Sequence, residues 1–237
     1  MINHPTKRVL HGIALLAAVT TSAPGSATTF VLDFSGNICA SVGATCSGGA
    51  AISDTYGDHQ GVDVSYRSVS PSGETFNASL NYWASGFGDL EGVVWGGNSS
   101  TTSEITLTAA PGYEIALLSF DLGTYLGRFA SSPVDITSLG GTSILSGSLA
   151  TNPGTHNHVD VASAFFTDGI RLRWGPNGYD VGMDNIAFEV RALPGAVPEL
   201  STWAMMIAGF GLTGASLRHR RRRTKRVVDS RPVALAG

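Results

Sequence analysis

"EITLTAAPGYEIALLSFDL", residues 104–122, decides the fold class. In its first part Ile105 and Leu107 alternate with Glu104, Thr106 and Thr108, so an extended chain shows one dry face and one polar face. Ala110, Pro111 and Gly112 interrupt the pattern, and a second run rich in Ile, Leu, Tyr and Phe begins at Tyr113. The same rhythm extends in both directions, with little helical periodicity. Candidate strands are "TTFVLDF" from Thr28, "VDVSYRSV" from Val62, "ETFNASLNYW" from Glu74, "VDITSL" from Val134, "TSILSGSL" from Thr142, "VDVASAFF" from Val159, "GIRLRW" from Gly169 and "MDNIAFEV" from Met183. In "GIRLRW", Ile170, Leu172 and Trp174 fall on one face and Arg171 and Arg173 on the other. About ten such strands predict an all-β, two-sheet, jelly-roll-like sandwich. Residues 28–193 are numerous enough to bury a core of their own.

The chain ends read differently. Lys7 and Arg8 precede an apolar run from Val9 to Val19, and Gly25, Ser26 and Ala27 offer small residues to a signal peptidase, so residues 1–27 are expected to be a secretory signal peptide. The run is too short to span ~30 Å of hydrocarbon comfortably as a retained anchor. Residues 28–193 then form the exported domain, with Arg67, Arg128, Arg171, Arg173 and Arg191 set against sixteen acidic groups, a balance of −11. A body this acidic lacks the clustered cations that phosphate binding needs, so nucleic acid is not an expected partner. Cys39 and Cys46 are the only cysteines. A pair in an exported chain suits one disulfide, and the further Cys or His ligands of a structural zinc site are not at finger-like spacing.

Four groups of residues carry candidate chemistry. "HNHVD" places His156, His158 and Asp160 on one face of an extended strand, where two imidazoles and a carboxylate could take a transition metal; beside the turn "TNPG" the same cluster is also read as merely solvated. Asp33, Asp180 and Asp184, near the two ends of the domain sequence, are hard oxygen donors of the kind Ca²⁺ uses, although Asp at strand ends also makes local turn bonds without metal. Tyr82, Trp83, Phe87 and Trp95 fall in the Gly-rich "NYWASGFGDLEGVVWGG"; Trp83 and Trp95 are candidate glycan contacts if exposed and core if buried. Sixteen acidic groups allow many carboxylate pairs, but spacing selects none. With no nucleophile elbow, zinc-protease helix or phosphate loop, no catalytic residue is assigned and no enzyme is expected.

"LTAAPGYEIALLSFDLGTY" and "GPNGYDVGMDNIAFEV" resemble segments of secreted bacterial jelly-roll domains, including carbohydrate-binding ones, which implies a sandwich more than a ligand.

Past the body, Trp203 to Leu217 is nearly uncharged and apolar, and Arg218, Arg220, Arg221, Arg222, Arg223, Lys225 and Arg226 follow it. A single short transmembrane helix of roughly 22 Å is expected here, with the basic cluster and residues 227–237 kept cytoplasmic. Val197, Pro198 and Glu199, then Ser201, Thr202 and Trp203, then the apolar run and the arginines, stand in the order of a known sorting signal. Residues 194–226 resemble the PEP-CTERM protein-sorting signal, with Leu200 where that family usually has a second proline. The resemblance implies an exosortase substrate: a protein exported through the inner membrane, held there transiently, then released to the cell envelope or exterior in bacteria that build exopolysaccharide. A structural or adhesive component of such a matrix is the expected function, with a carbohydrate-binding module as the alternative and a polysaccharide-active enzyme behind both.

Overall fold

The computed structural model describes residues 25–39, 46–70, 72–129, 131–194, 204–214 and 218. Twelve strands are described: β1 (Thr28–Leu32), β2 (Val62–Val69), β3 (Thr75–Asn77), β4 (Asn81–Trp83), β5 (Val93–Trp95), β6 (Thr102–Ala109), β7 (Tyr113–Thr124), β8 (Ser131–Ser138), β9 (Ser143–Ala150), β10 (Asn157–Asp160), β11 (Gly169–Trp174) and β12 (Val181–Ala192). They make two six-stranded antiparallel sheets. One, the β7 sheet, runs β10-β7-β12-β5-β4, with β1 also paired to β12; the other, the β6 sheet, runs β3-β2-β6-β11-β8-β9. The opening stretch therefore crosses between sheets, because β6 and β7 are consecutive in sequence but belong to opposite layers.

The inner faces meet in one core. Val64, Ile105, Leu107, Ile136, Ile170, Leu172 and Trp174 come from the β6 sheet, and Ile115, Leu117, Phe120, Leu122, Met183 and Phe188 from the β7 sheet. All of these are essentially sealed from water, as the alternation in "EITLTA" and "GIRLRW" requires. Trp174 reaches across: its indole Nε1 donates to Val181 O at 2.9 Å, which satisfies a polar atom that burial would otherwise leave bare.

Two strand expectations are corrected, and one strand of the structure has no counterpart among them. The run from Glu74 to Trp83 is two short strands in opposite sheets, because Leu80 turns into the core between them and Ser79 Oγ donates to Ile52 O at 2.9 Å. The run from Val159 stops at Asp160: Ala162 has φ +45°, and the amides of both Val161 and Ala162 donate to Leu118 O, which ends regular pairing with β7. Strand β5, Val93–Trp95, carries too short a run to stand out among the glycines around it.

Cys39 and Cys46 are joined by a disulfide, their Cα atoms 5.5 Å apart. At the C-terminus a helix covers residues 204–214, with Met205, Met206, Ile207, Phe210 and Leu212 exposed. At 1.5 Å per residue it is roughly 16 Å long. Among the described residues no helix is long and apolar enough to cross a membrane, so the expected transmembrane helix is not met there. The signal-peptide run, the sorting motif at Val197–Trp203 and the basic residues after Arg218 lie outside the described residues.

Candidate functional site

The outer face of the β7 sheet carries the candidate site. In the β4–β5 pair Tyr82 lies opposite Val94, Trp83 opposite Val93 and Asn81 opposite Trp95. Alternation sends Tyr82 and Val94 to the core, while Trp83, Val93 and Trp95 turn outward. Between β4 and β5 the segment of residues 84–92 folds back over the sheet and brings Phe87 and Leu90 into the same outer cluster. Its seat is a glycine pair: Gly123 of β7 and Gly182 of β12 are register partners. A Cβ at Gly123 would stand 2.3 Å from Phe87 O, and one at Gly182 would stand 2.8 Å from a Val93 methyl, so only glycine admits the segment this closely.

The rings meet edge to face. Trp83 and Trp95 have centroids 6.0 Å apart at 83°, Trp83 and Tyr125 5.8 Å apart at 86°, and Trp95 and Tyr179 4.9 Å apart at 89°. With Phe87 they line a hollow of about 50 Å³. Trp95 is only 8 % exposed and its Nε1 is turned to Tyr82 O at 3.4 Å, so it forms the wall; Trp83 is half-buried and Tyr179 is 39 % exposed. Leu126, 69 % exposed, follows Tyr125 in the same turn. That turn is held by Tyr125 N donating to Asp180 O at 2.8 Å and by Arg128 Nη1 bonding Asp180 Oδ1 at 2.8 Å, with the guanidinium 5.3 Å from the Tyr125 ring centre. Among the described residues the Tyr125 and Tyr179 hydroxyls have no protein hydrogen bond. The hollow thus offers apolar ring faces beside free polar handles.

Farther along the same sheet, His158 of β10, Asp121 of β7 and Asp184 of β12 are side by side in register. His158 Nδ1 lies 2.6 Å from Asp121 Oδ1, and Asn185 Nδ2 donates to Asp121 Oδ2 at 2.8 Å. The bond to Asp121 raises the His158 pKa. His156 bonds Asp89 through Nδ1 at 2.9 Å and through its backbone N at 2.6 Å, which ties the 84–92 segment to β10. Asp184 sits at a β-bulge where Asn185 has φ +48°, and its Oδ1 accepts the Asn185 N–H at 2.8 Å. Burial, reinforced by the negative charges of Asp121 and Asp33, pushes the Asp184 pKa up to about 8.

The structure does not assemble the metal sets that the sequence suggests. Asp180 is engaged by Arg128 at the aromatic end. Asp33 accepts hydrogen bonds from Ser35 N and Tyr56 Oη which, against the opposing effect of burial, lower its pKa. Asp184 is held at the bulge, and the imidazoles of His156 and His158 are turned to carboxylates. Among the described residues there is no group of three or more His, Cys, Asp or Glu placed to hold a metal ion. Sequence reasoning found Trp83 and Trp95 but missed Tyr125 and Tyr179. Both stand beside turns far from Trp83 in sequence, and only the β7–β12 pairing brings them to it.

No family model matches the chain, and no curated protein matches it. Among solved structures it is similar to a family 29 carbohydrate-binding module from Piromyces equi, at 16% identity and TM-score 0.28 over 54% of this chain and 89% of that one. It is also similar to the enzymatically active domain of tailspike protein 4 from bacteriophage CBA120, at 10% identity and TM-score 0.26 over 69% of this chain and 21% of that one. Similarity at this level sets no family and assigns no ligand to this chain.

Proposed function

We propose that this protein is an exported component of the cell envelope or extracellular matrix, sorted by an exosortase through its PEP-CTERM-like C-terminal segment, and that its β-sandwich holds a glycan at the aromatic hollow. The observation that carries the glycan reading is the outward-facing group of Trp83, Tyr125 and Tyr179 with two unpaired phenol hydroxyls. A pyranose presents an apolar C–H face and a rim of hydroxyls, and this surface offers the complement of each. At about 50 Å³ the hollow admits an edge or substituent of a sugar and not a whole ring, so the chain lies across the rim. This suits an adhesive protein that grips a polymer at many weak points.

The sorting reading rests on Val197, Pro198, Glu199 and Trp203 followed by an apolar helix and the arginine cluster. The exposed Met205, Ile207, Phe210 and Leu212 support it, since a helix bearing such side chains favours lipid over water.

Two experiments separate the claims. On a glycan array the full-length protein binds a neutral polysaccharide, and Tyr179→Ala or Trp83→Ala weakens binding roughly tenfold, the worth of one lost stacking or hydrogen-bonded contact. Binding to no glycan, or equal binding by both variants, refutes the hollow as the site. In the native host, intact mass distinguishes a processed chain from a full one. Loss of the C-terminal segment that depends on the exosortase and on Pro198 and Glu199 supports sorting, whereas an uncut, membrane-held chain in every strain reduces it to a plain anchor.

A further inference from the structure

The opposite face of the molecule, the outer surface of the β6 sheet, carries a second feature. Arg67 of β2, Glu104 of β6, Arg173 of β11, Asp135 of β8 and Ser146 of β9 are successive register partners, so they form one row across five strands. Glu104 is 1 % exposed on a face where its neighbours are wet, because two guanidiniums close over it: Arg67 Nε bonds Oε1 and Arg173 Nε bonds Oε2, each at 2.5 Å. One carboxylate therefore serves two cations, and each arginine gives it only its Nε. Among the described residues the terminal Nη groups of Arg67 and Arg173 have no protein partner. Asp135, exposed beside Arg173, has no ion pair either.

Arg173 and Asp135 open into a groove of about 450 Å³, walled by Ser70, Thr102, Ser146 and the β8–β11 backbone. That volume falls in the range of small-ligand sites. The arginines of the body gather on this face. The body holds five arginines against sixteen acidic groups, yet three of the five, Arg67, Arg171 and Arg173, project from this one surface.

We propose that this groove binds an acidic glycan, with the carboxylate of a uronic acid residue received by the free Nη pair of Arg173 and sugar hydroxyls donating to Asp135. A fixed guanidinium fork matches a carboxylate in two parallel hydrogen bonds, and a neighbouring free carboxylate is the acceptor that a vicinal diol requires. Glu104 and Arg67 hold the Arg173 fork in place, so the groove is formed before ligand arrives.

The test is titration calorimetry of the full-length protein with a tetramer of galacturonic acid, with the same tetramer methyl-esterified so that its charge is removed, and with a neutral glucose tetramer. The acid form binds, the ester and the glucose tetramer bind at least roughly tenfold more weakly, and raising salt weakens only the acid form. Arg173→Lys keeps the charge and loses the fork, and should cost roughly tenfold or more. Ser146→Asp leaves the Arg67–Glu104–Arg173 bridge intact and adds an anion at the exposed rim of the edge strand; it should abolish acid binding without lowering the melting temperature. Tyr179→Ala, on the other sheet, should leave acid binding unchanged, so this site and the aromatic hollow fail independently. Equal affinity for acid and ester, no binding of the acid tetramer, or undiminished binding by Ser146→Asp overturns the proposal.

Discussion

Asp184 makes stability depend on pH in a direction opposite to that of an ordinary salt-bridged carboxylate. Asp184 is 3 % exposed and lies beside Asp121 in register; burial, aided by the charges of Asp121 and Asp33 and opposed by the bond from Asn185 N–H, pushes its carboxyl from 3.8 up to about 8. A folded pKa above the unfolded one means that the native state holds the proton more tightly. The stabilisation is therefore complete below about pH 4 and is lost as pH rises through about 8. At ~1.4 kcal/mol per unit, a rise of about four units gives on the order of 5 kcal/mol as a ceiling, a large share of the 5–15 kcal/mol typical of a domain. Asp184→Asn keeps the oxygen that accepts the Asn185 N–H but cannot ionise. Urea denaturation at pH 5.0, 6.5 and 8.0 should show the wild type losing stability with rising pH. Asp184→Asn should exceed it by about 1–2 kcal/mol at pH 5, and the gap should widen by a few kcal/mol more by pH 8. His158, whose raised pKa contributes in the same direction, is common to both proteins and cancels in the difference. Parallel profiles for the two proteins would refute the reasoning.

Three further outcomes follow from the packing. Gly123→Ala drives a Cβ against Phe87 O and must lift the 84–92 segment; a loss of about 1–3 kcal/mol is expected in denaturant titration, together with loss of binding at the aromatic hollow. Replacing Cys39 and Cys46 by serine opens a short loop, their sequence separation being 7, and should cost about 2.5 kcal/mol by the loop-entropy relation, read from the urea midpoint under non-reducing conditions. Glu104→Gln leaves Arg67 and Arg173 without their shared anion; with both guanidiniums partly in water, a loss on the order of 2 kcal/mol is expected from thermal unfolding. Burial opposes ionisation of Glu104, but hydrogen bonds and charge from the two arginines lower its pKa overall, so its stabilisation is present above about pH 4.5 and fades as pH falls.

Much of the fold is legible in the sequence because alternation is a local signal. Ile105, Leu107, Ile170, Leu172 and Trp174 are core for the reason their spacing gives, and the strand from Val62 keeps the bounds its pattern implies. Strand pairing is not local, and alternation carries no signal of it. Nothing between Glu74 and Trp83 announces that the chain changes sheets, and nothing near Asp180 tells that Arg128 will claim it. Glu104 falls on the polar face of its strand yet is buried, because Arg67 and Arg173 arrive over it from neighbouring strands. The aromatic hollow shows the same division: Trp83 and Trp95 stand out in a glycine-rich stretch, whereas Tyr125 and Tyr179 join them only through tertiary pairing.

The central claim is that the outer face of the β7 sheet holds a glycan, and indole N–H resonances report on it directly. Trp83 and Trp95 line the hollow, while Trp174 is sealed in the core with its Nε1 bonded to Val181 O. Titrating isotope-labelled full-length protein with the neutral oligosaccharide selected on the array should move the Trp83 and Trp95 signals in a saturable way and leave Trp174 in place. Saturable binding that leaves Trp83 and Trp95 unmoved would contradict the account.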